Sequence, residues 1–166
     1  ELSFVEGEGP RLPPLKCEKE IDALNFNAFD QKLAPVYQAI KNIRAGLPDD
    51  KALIGFAGAP WTLACYMVQG QGDGEFAAAR KLALLNPSLF EKLIDLLTKA
   101  TIRYLSEQIR SGVDTVQIFD SWAGLLPPSE FARWVVTPTA EIVAALKKTF
   151  PQTPIIGFPR GAGVLY

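Results

Sequence analysis

The stretch that decides the fold is residues 53–70, LIGFAGAPWTLACYMVQG. It begins with an apolar run bounded by Gly58 and Pro60, which is typical of a strand buried on both faces of a parallel sheet. Pro60 has no N–H to offer a neighbouring strand, and the apolar residues after it predict the start of a helix. We therefore expect a buried strand, a tight turn and a helix. In α/β proteins such a turn lies on the ligand-binding side of the sheet.

Tyr66 is the side chain of this stretch that offers a phenol to chemistry. A tyrosine within an apolar run more often belongs to the core, with its hydroxyl bonded to a backbone group. Spacing alone therefore favours a structural role for Tyr66 over a catalytic one.

The same pattern of strand and turn occurs twice more. Residues 115–120 (TVQIFD) predict a second buried strand, followed by a turn at 121–124. Residues 154–158 (PIIGF) predict a third strand, followed by a turn at 159–163. The three turns are expected to face the same end of the sheet.

Helical segments are predicted between these strands. Apolar residues recur at helical spacing over 29–47, and residues 75–85 are rich in alanine. Asn86 and Pro87 predict the start of the longest helix, which Gly112 is expected to end.

Prolines give two further expectations. Thr137 and Pro138 predict a new helix start, because a proline inside a continuous helix costs about 3 kcal/mol. Residues 1–22 carry closely spaced prolines and predict an extended arm or loop.

Alternation of strands with helices predicts parallel strands joined by right-handed crossovers. A β/α barrel fits this order best, and a doubly wound sheet is the second choice. A complete barrel needs eight strands and about 250 residues. The chain has 166 residues and three strands, with a fourth left open, so we expect part of a barrel.

Composition excludes several classes of function. The net charge is −1, from 17 basic and 18 acidic residues, so binding to nucleic acid or to an anionic membrane is not expected. There is no histidine, and Cys17 and Cys65 are isolated, so no zinc pattern exists. No apolar run reaches the roughly 18 residues of a membrane span, and the cytoplasm is the expected location.

Candidate site residues come from the three turns and the strands before them. The side chains concerned are Phe56, Trp61, Tyr66, Phe119, Asp120, Ser121, Trp122 and Arg160. Aromatic walls suit a large ring ligand, and an arginine can bind a ligand carboxylate. Asp120 alternates with Phe119, so its side chain should point to the opposite face; it either caps its turn or meets a ligand. Ser121 has no histidine to activate it as a nucleophile.

Four segments resemble uroporphyrinogen decarboxylases: 54–70 (IGFAGAPWTLACYMVQG), 117–124 (QIFDSWAG), 155–163 (IIGFPRGAG) and the opening ELSFVEGEGP. The resemblance implies a (β/α)₈ TIM barrel, usually a homodimer, with no metal and no organic cofactor. It implies removal of the four acetate carboxyl groups of uroporphyrinogen III to give coproporphyrinogen III.

The resemblance also implies roles for single residues. Tyr66 would bind substrate and take part in catalysis, and Ser121 would bind substrate. Phe56 and Phe119 would line the cleft, and Arg160 lies where the family often has a basic residue.

Three family features have no match in the chain: the segment with the N-terminal arginines, the aspartate that holds the pyrrole N–H groups, and the C-terminal histidine segment. Residues 1–166 are therefore expected to be the central part of a single barrel domain, inactive alone.

Two alternatives stay open. Corrinoid- or cobalamin-linked methyltransferases share the superfamily, but they need His and Cys zinc ligands near the turn at 159–161, which here is Pro-Arg-Gly. The other alternative is a non-catalytic barrel fragment that serves only as an assembly partner.

Overall fold

A computed structural model describes residues 3–5, 9–72 and 74–165. Within these residues there are two sheets. Strands β1 (Ser3–Val5) and β2 (Gly9–Arg11) form an antiparallel hairpin. Strands β3 (Ile54–Gly58), β4 (Thr115–Asp120) and β5 (Ile155–Pro159) form a parallel sheet in that order. The three strands predicted from sequence are confirmed.

The helices of the described residues lie before and between the parallel strands. They are α1 (Glu18–Asp22), α2 (Phe29–Gly46), α3 (Pro60–Gln69), α4 (Ala77–Leu85), α5 (Pro87–Arg110), α6 (Pro128–Phe131) and α7 (Thr137–Thr149). A π-helical turn, Ala132–Val136, joins α6 to α7, and short 3₁₀ turns lie at Ala123–Leu125 and Gly163–Leu165.

The two faces of the parallel sheet differ in their surroundings. Ala57, Val116 and Ile118 point to the face covered by α5 and α7, where they pack with Ile142 and Leu146 of α7. The opposite face carries partly exposed apolar side chains, among them Ile54, Phe56, Ile156 and Phe158. In a β/α barrel the face away from the helices is the inside of the barrel.

A second core lies beyond the turn after β3. It contains four buried aromatic side chains: Trp61 of α3, Phe76 just before α4, Phe90 of α5 and Trp134 of the π-helical turn. The Phe90 ring contacts Trp61 at 5.7 Å and Trp134 at 5.0 Å between centroids. This core holds α3 in place at the carboxyl end of β3.

Helix α5 has the boundaries expected from its sequence. The Asn86 side chain accepts a hydrogen bond from the backbone N–H of Leu89, and Pro87 is the first helical residue. Gly112 follows the helix with φ of 110°, a backbone conformation that favours glycine at this position.

The expected new helix start at Thr137 is confirmed in position, with Pro138 in the first turn of α7, but the expected cap and break before it are absent. Val136 is helical (φ −67°, ψ −52°), so the chain remains helical from α6 into α7. The Thr137 N–H bonds to the Ala132 carbonyl, five residues earlier. The π-helical turn thus widens the helix where Pro138 has no N–H to give, and the chain needs no break.

The expected extended arm is also wrong for its last part, which forms α1. Glu20 accepts hydrogen bonds from the backbone N–H groups of Lys16 (2.5 Å) and Cys17 (3.2 Å). Ile21 is buried against the second core. The cap by Glu20 and the burial of Ile21 stabilise a short helix here. The prolines that predicted an extended arm all lie upstream of it.

Candidate functional site

Three phenylalanines, one from each parallel strand, lie side by side on the open face of the sheet. Phe119 contacts Phe56 and Phe158, in both cases at 5.8 Å between ring centroids, with interplanar angles of 90° and 70°. The exposed fraction is 61% for Phe56 and 43% for Phe158. We call these three residues the phenylalanine row. It gives the open face an apolar wall, because edge-to-face rings cover the strands between them.

Phe158 was not among the predicted site residues. Strand register places it directly beside Phe119, and alternation along β5 puts it on the same face as Ile156. The alternation within residues 154–158 indicates that Phe158 shares a face with Ile156. Only the register between β4 and β5 shows that Phe158 lies beside Phe119.

Gln108 fixes the backbone of Phe56, and it too was missed from sequence. Its amide accepts from the Phe56 N–H (3.0 Å) and donates to the Phe56 carbonyl (2.8 Å). A Cβ on Gly55 would come within 2.6 Å of the Gln108 Oε1 atom, so only glycine leaves room for this bond. The buried Gln108 amide therefore fixes the backbone position from which the Phe56 ring projects.

Tyr66 lies on α3 beside the turn that follows β4. Its ring contacts Phe76 at 5.3 Å and Trp122 at 6.4 Å between centroids. It is half-buried and packs against the second core. The structure thus brings Tyr66 next to Trp122, the neighbour of Ser121.

The turn that carries Ser121 is tied to helix α3. The Trp122 N–H donates to the Thr62 hydroxyl (3.3 Å), and the Trp61 indole N–H donates to the Trp122 carbonyl (3.0 Å). Ser121 itself is half-buried. Trp61, a candidate site residue from the sequence, is fully buried, so it packs in the second core.

Asp120 points to the helix side of the sheet, as its alternation with Phe119 predicted. Only 3% of it is exposed, and its Oδ1 accepts a hydrogen bond from the Thr62 hydroxyl at 2.6 Å. Burial raises the pKa of the Asp120 carboxyl to about 6, while hydrogen bonds from Thr62 oppose this shift. The local role of Asp120, fixing its turn, is the one these contacts support.

Arg160 lies in the turn after β5, close to the turn after β4. Its backbone N–H bonds to the Asp120 carbonyl (3.0 Å), and its carbonyl accepts from the Gly124 N–H (3.1 Å). A Cβ on Gly124 would come within 2.6 Å of the Gly161 carbonyl oxygen, so the two turns meet backbone to backbone. Within the described part of the chain, the exposed Arg160 guanidinium has no ion-pair partner.

The family model for uroporphyrinogen decarboxylase (URO-D) matches residues 1–166. The chain belongs to the uroporphyrinogen decarboxylase family. The chain is 50% identical to a uroporphyrinogen decarboxylase of Granulibacter bethesdensis, over 99% of this chain and 48% of the relative. It is 43% identical to one of Rhodospirillum rubrum, over 100% of this chain and 48% of that relative. The chain thus spans about half the length of the curated relatives it matches.

A solved structure shares the fold. A methyltransferase from Methanosarcina mazei superposes with a TM-score of 0.73 at 19% identity, over 95% of this chain and 45% of that chain. At that identity the likeness shows the fold alone. With the family match and the three parallel strands flanked by helices, it confirms the expected TIM-barrel fold, of which this chain forms an incomplete part.

The described residues hold no candidate membrane-spanning helix and no candidate metal cluster. None of their helices combines the length and the apolar character that crossing a membrane requires. No group of three or more Cys, Asp and Glu among them is arranged to hold a metal ion.

Proposed function

We propose that this chain forms part of the active site of a uroporphyrinogen decarboxylase, a carboxy-lyase that converts uroporphyrinogen III to coproporphyrinogen III. The observation that carries the proposal is the family match over all 166 residues. The relatives named uroporphyrinogen decarboxylase, 43–50% identical, support the same conclusion.

The phenylalanine row suits a tetrapyrrole. Uroporphyrinogen presents a large ring with apolar faces and a rim of carboxylates. Apolar walls with a few polar groups are the usual lining of such sites, and the row supplies the wall on the inner face of the sheet. Phe56 and Phe119 are proposed to bind the ring, with Phe158 beside them.

Polar groups for the carboxylates come from the turns. We propose that Tyr66 and Ser121 donate hydrogen bonds to substrate carboxylates and that Arg160 forms an ion pair with one. Charge-assisted bonds of this kind are shorter and stronger than neutral ones. Their positions after the carboxyl ends of the strands agree with the ligand side of a barrel.

Decarboxylation of a pyrrole acetate requires stabilisation of a cation. Protonation of a pyrrole carbon makes the ring cationic, and the ring then accepts the electrons that the departing carbon dioxide leaves behind. A fixed carboxylate aimed at that cation supplies a large electrostatic term. Asp120 is not this carboxylate, because its side chain is buried on the other face of the sheet. We therefore propose that residues 1–166 alone do not decarboxylate the substrate.

The setting of the complete enzyme is proposed from the same family resemblance. We expect a cytoplasmic homodimer that uses no metal or organic cofactor and binds neither nucleic acid nor membrane. The likeness to a methyltransferase is restricted to the fold, so it gives methyl transfer no support.

One experiment tests the proposed function. Residues 1–166 replace the matched part of the Granulibacter bethesdensis relative, whose remaining residues are kept. We call this chimeric protein the grafted enzyme. It is incubated anaerobically with uroporphyrinogen III, and the products are separated by their number of carboxylates. Seven- to four-carboxylate porphyrinogens are expected from the grafted enzyme and not from residues 1–166 alone.

The unmodified relative and a protein-free sample are the controls. A folded grafted enzyme that leaves uroporphyrinogen unchanged, beside an active relative, would contradict the proposed function. Product formed by residues 1–166 alone would show that a carboxylate within this chain stabilises the cation.

A further inference from the structure

We propose that Thr62 and Asp120 are positioning residues that hold the turn carrying Ser121 against the helix carrying Tyr66. The inference rests on the proposed function for the roles of Tyr66 and Ser121. It adds two residues that contact no substrate and act through those that do.

The Thr62 hydroxyl makes two bonds to the turn. It donates to Oδ1 of Asp120 at 2.6 Å and accepts from the backbone N–H of Trp122 at 3.3 Å. Asp120 and Trp122 are the two neighbours of Ser121 in the chain. One hydroxyl therefore bonds to both neighbours of Ser121, through the side chain of Asp120 and the backbone N–H of Trp122.

The same hydroxyl belongs to the helix of Tyr66. Thr62 and Tyr66 are four residues apart on α3, and residues at that spacing lie on the same face of a helix. Tyr66 in turn contacts the Trp122 ring. A shift of the turn relative to α3 would change the position of Ser121 relative to Tyr66, and the bonds of Thr62 oppose that shift.

Packing alone does not explain an aspartate at this position. Asp120 is 3% exposed and Thr62 is 7% exposed, and a buried carboxyl costs free energy that an apolar side chain would not. What Asp120 provides and an apolar residue lacks is a fixed acceptor for the Thr62 hydroxyl. With its proton directed to Asp120, the Thr62 hydroxyl oxygen is oriented to accept a hydrogen bond from the Trp122 N–H.

Substitutions in the grafted enzyme separate positioning from packing. Thr62→Val and Asp120→Leu remove the bond and are expected to lower kcat/KM by roughly tenfold or more. Thr62→Ser and Asp120→Asn keep a hydroxyl and an acceptor, so they are expected to stay within about threefold of the unmodified enzyme. Thr98→Val is the matched control, because Thr98 is buried and its hydroxyl donates within its own helix, to the Ile94 carbonyl (2.8 Å).

Combining Thr62→Val with Ser121→Ala gives the decisive readout. If Thr62 acts through Ser121, the double variant should lose at least about threefold less kcat/KM than the product of the two single losses. Losses that multiply, or an equal loss in Thr98→Val, would overturn the proposal. Loss in Asp120→Asn as large as in Asp120→Leu would overturn it too.

Hydrogen exchange provides a readout that needs no activity. In residues 1–166, Thr62→Val should speed exchange of the Trp122 amide relative to Thr98→Val, because the amide loses its acceptor. Unchanged exchange at Trp122 would contradict the positioning role. An inactive but folded grafted enzyme would count against the proposed function alone, since the exchange measurement would still decide the role of Thr62.

Discussion

Tyr66 combines a packed ring with a hydroxyl, and one substitution separates the two. Tyr66→Phe keeps the contacts with Phe76 and Trp122 and removes one donor. If that donor binds a substrate carboxylate, the loss is about 1.5–3 kcal/mol, so kcat/KM of the grafted enzyme should fall roughly tenfold to a hundredfold. Steady-state kinetics with uroporphyrinogen III measure this.

Tyr104→Phe is the control for this prediction, because Tyr104 lies on α5 in contact with Tyr37, outside the proposed site. Its kcat/KM should not change. Normal turnover in Tyr66→Phe would return Tyr66 to a purely structural role.

Asp120 makes stability depend on pH. Its folded-state pKa is raised from 3.8 to about 6, so its contribution is fully present below the unfolded pKa and is lost as pH rises through about 6. A shift of about two pH units corresponds to about 3 kcal/mol. Asparagine at this position does not titrate, so the Asp120→Asn variant does not lose this contribution. Its free energy of unfolding, relative to that of the unmodified chain, should therefore rise by up to about 3 kcal/mol between pH 4 and pH 7.5.

Urea unfolding of both chains at the two pH values measures the difference, in which the other carboxyl groups cancel. A difference that stays constant with pH would mean that the Asp120 carboxyl is not desolvated in the folded chain.

At the scale of elements, the turns after β4 and β5 touch through glycine. Gly124→Ala would place a Cβ within 2.6 Å of the Gly161 carbonyl, and backbone cannot move aside as a flexible side chain can. We expect a loss of about 1–3 kcal/mol in the free energy of unfolding. Gly46→Ala, where no atom lies within 4 Å of the added Cβ, should be neutral or stabilising. Thermal unfolding compares the two, and equal melting temperatures would contradict the prediction.

Elements could be predicted from sequence where one segment carries the whole signal. The apolar runs at β3, β4 and β5 reflect burial within a parallel sheet, and Asn86 with Pro87 specifies the start of α5. The π-helical turn before Pro138 was not predictable in this way. It depends on a hydrogen bond between Thr137 and Ala132 that replaces the break a proline normally causes.

The site could be predicted only in part, for the same reason. Phe56 and Phe119 follow from strand alternation within their own segments. Phe158 required the register between β4 and β5, and Gln108 required the packing of α5 on β3. The bond from Thr62 to Asp120 joins residues 58 positions apart, which no local pattern shows.

At the scale of the whole molecule, catalysis is expected not to depend on a metal. Histidine is absent from the sequence, and the proposed groups are a phenol, a hydroxyl, a guanidinium and aromatic rings. Dialysis of the grafted enzyme against a strong chelator should leave the rate of decarboxylation unchanged. Loss of activity that added zinc restores would contradict this and favour a metal-dependent branch of the superfamily.

The hydrogen bonds of the Gln108 amide also affect the exposed edge of the parallel sheet. β3 is the outer strand of the described sheet, and alternate peptide groups along it face away from β4. Exposed strand edges of this kind invite pairing with another chain and are a common route to aggregation. Gln108 occupies both the N–H and the carbonyl of Phe56, in the centre of that edge. These two groups of Phe56 are therefore not free to pair with a strand of another chain.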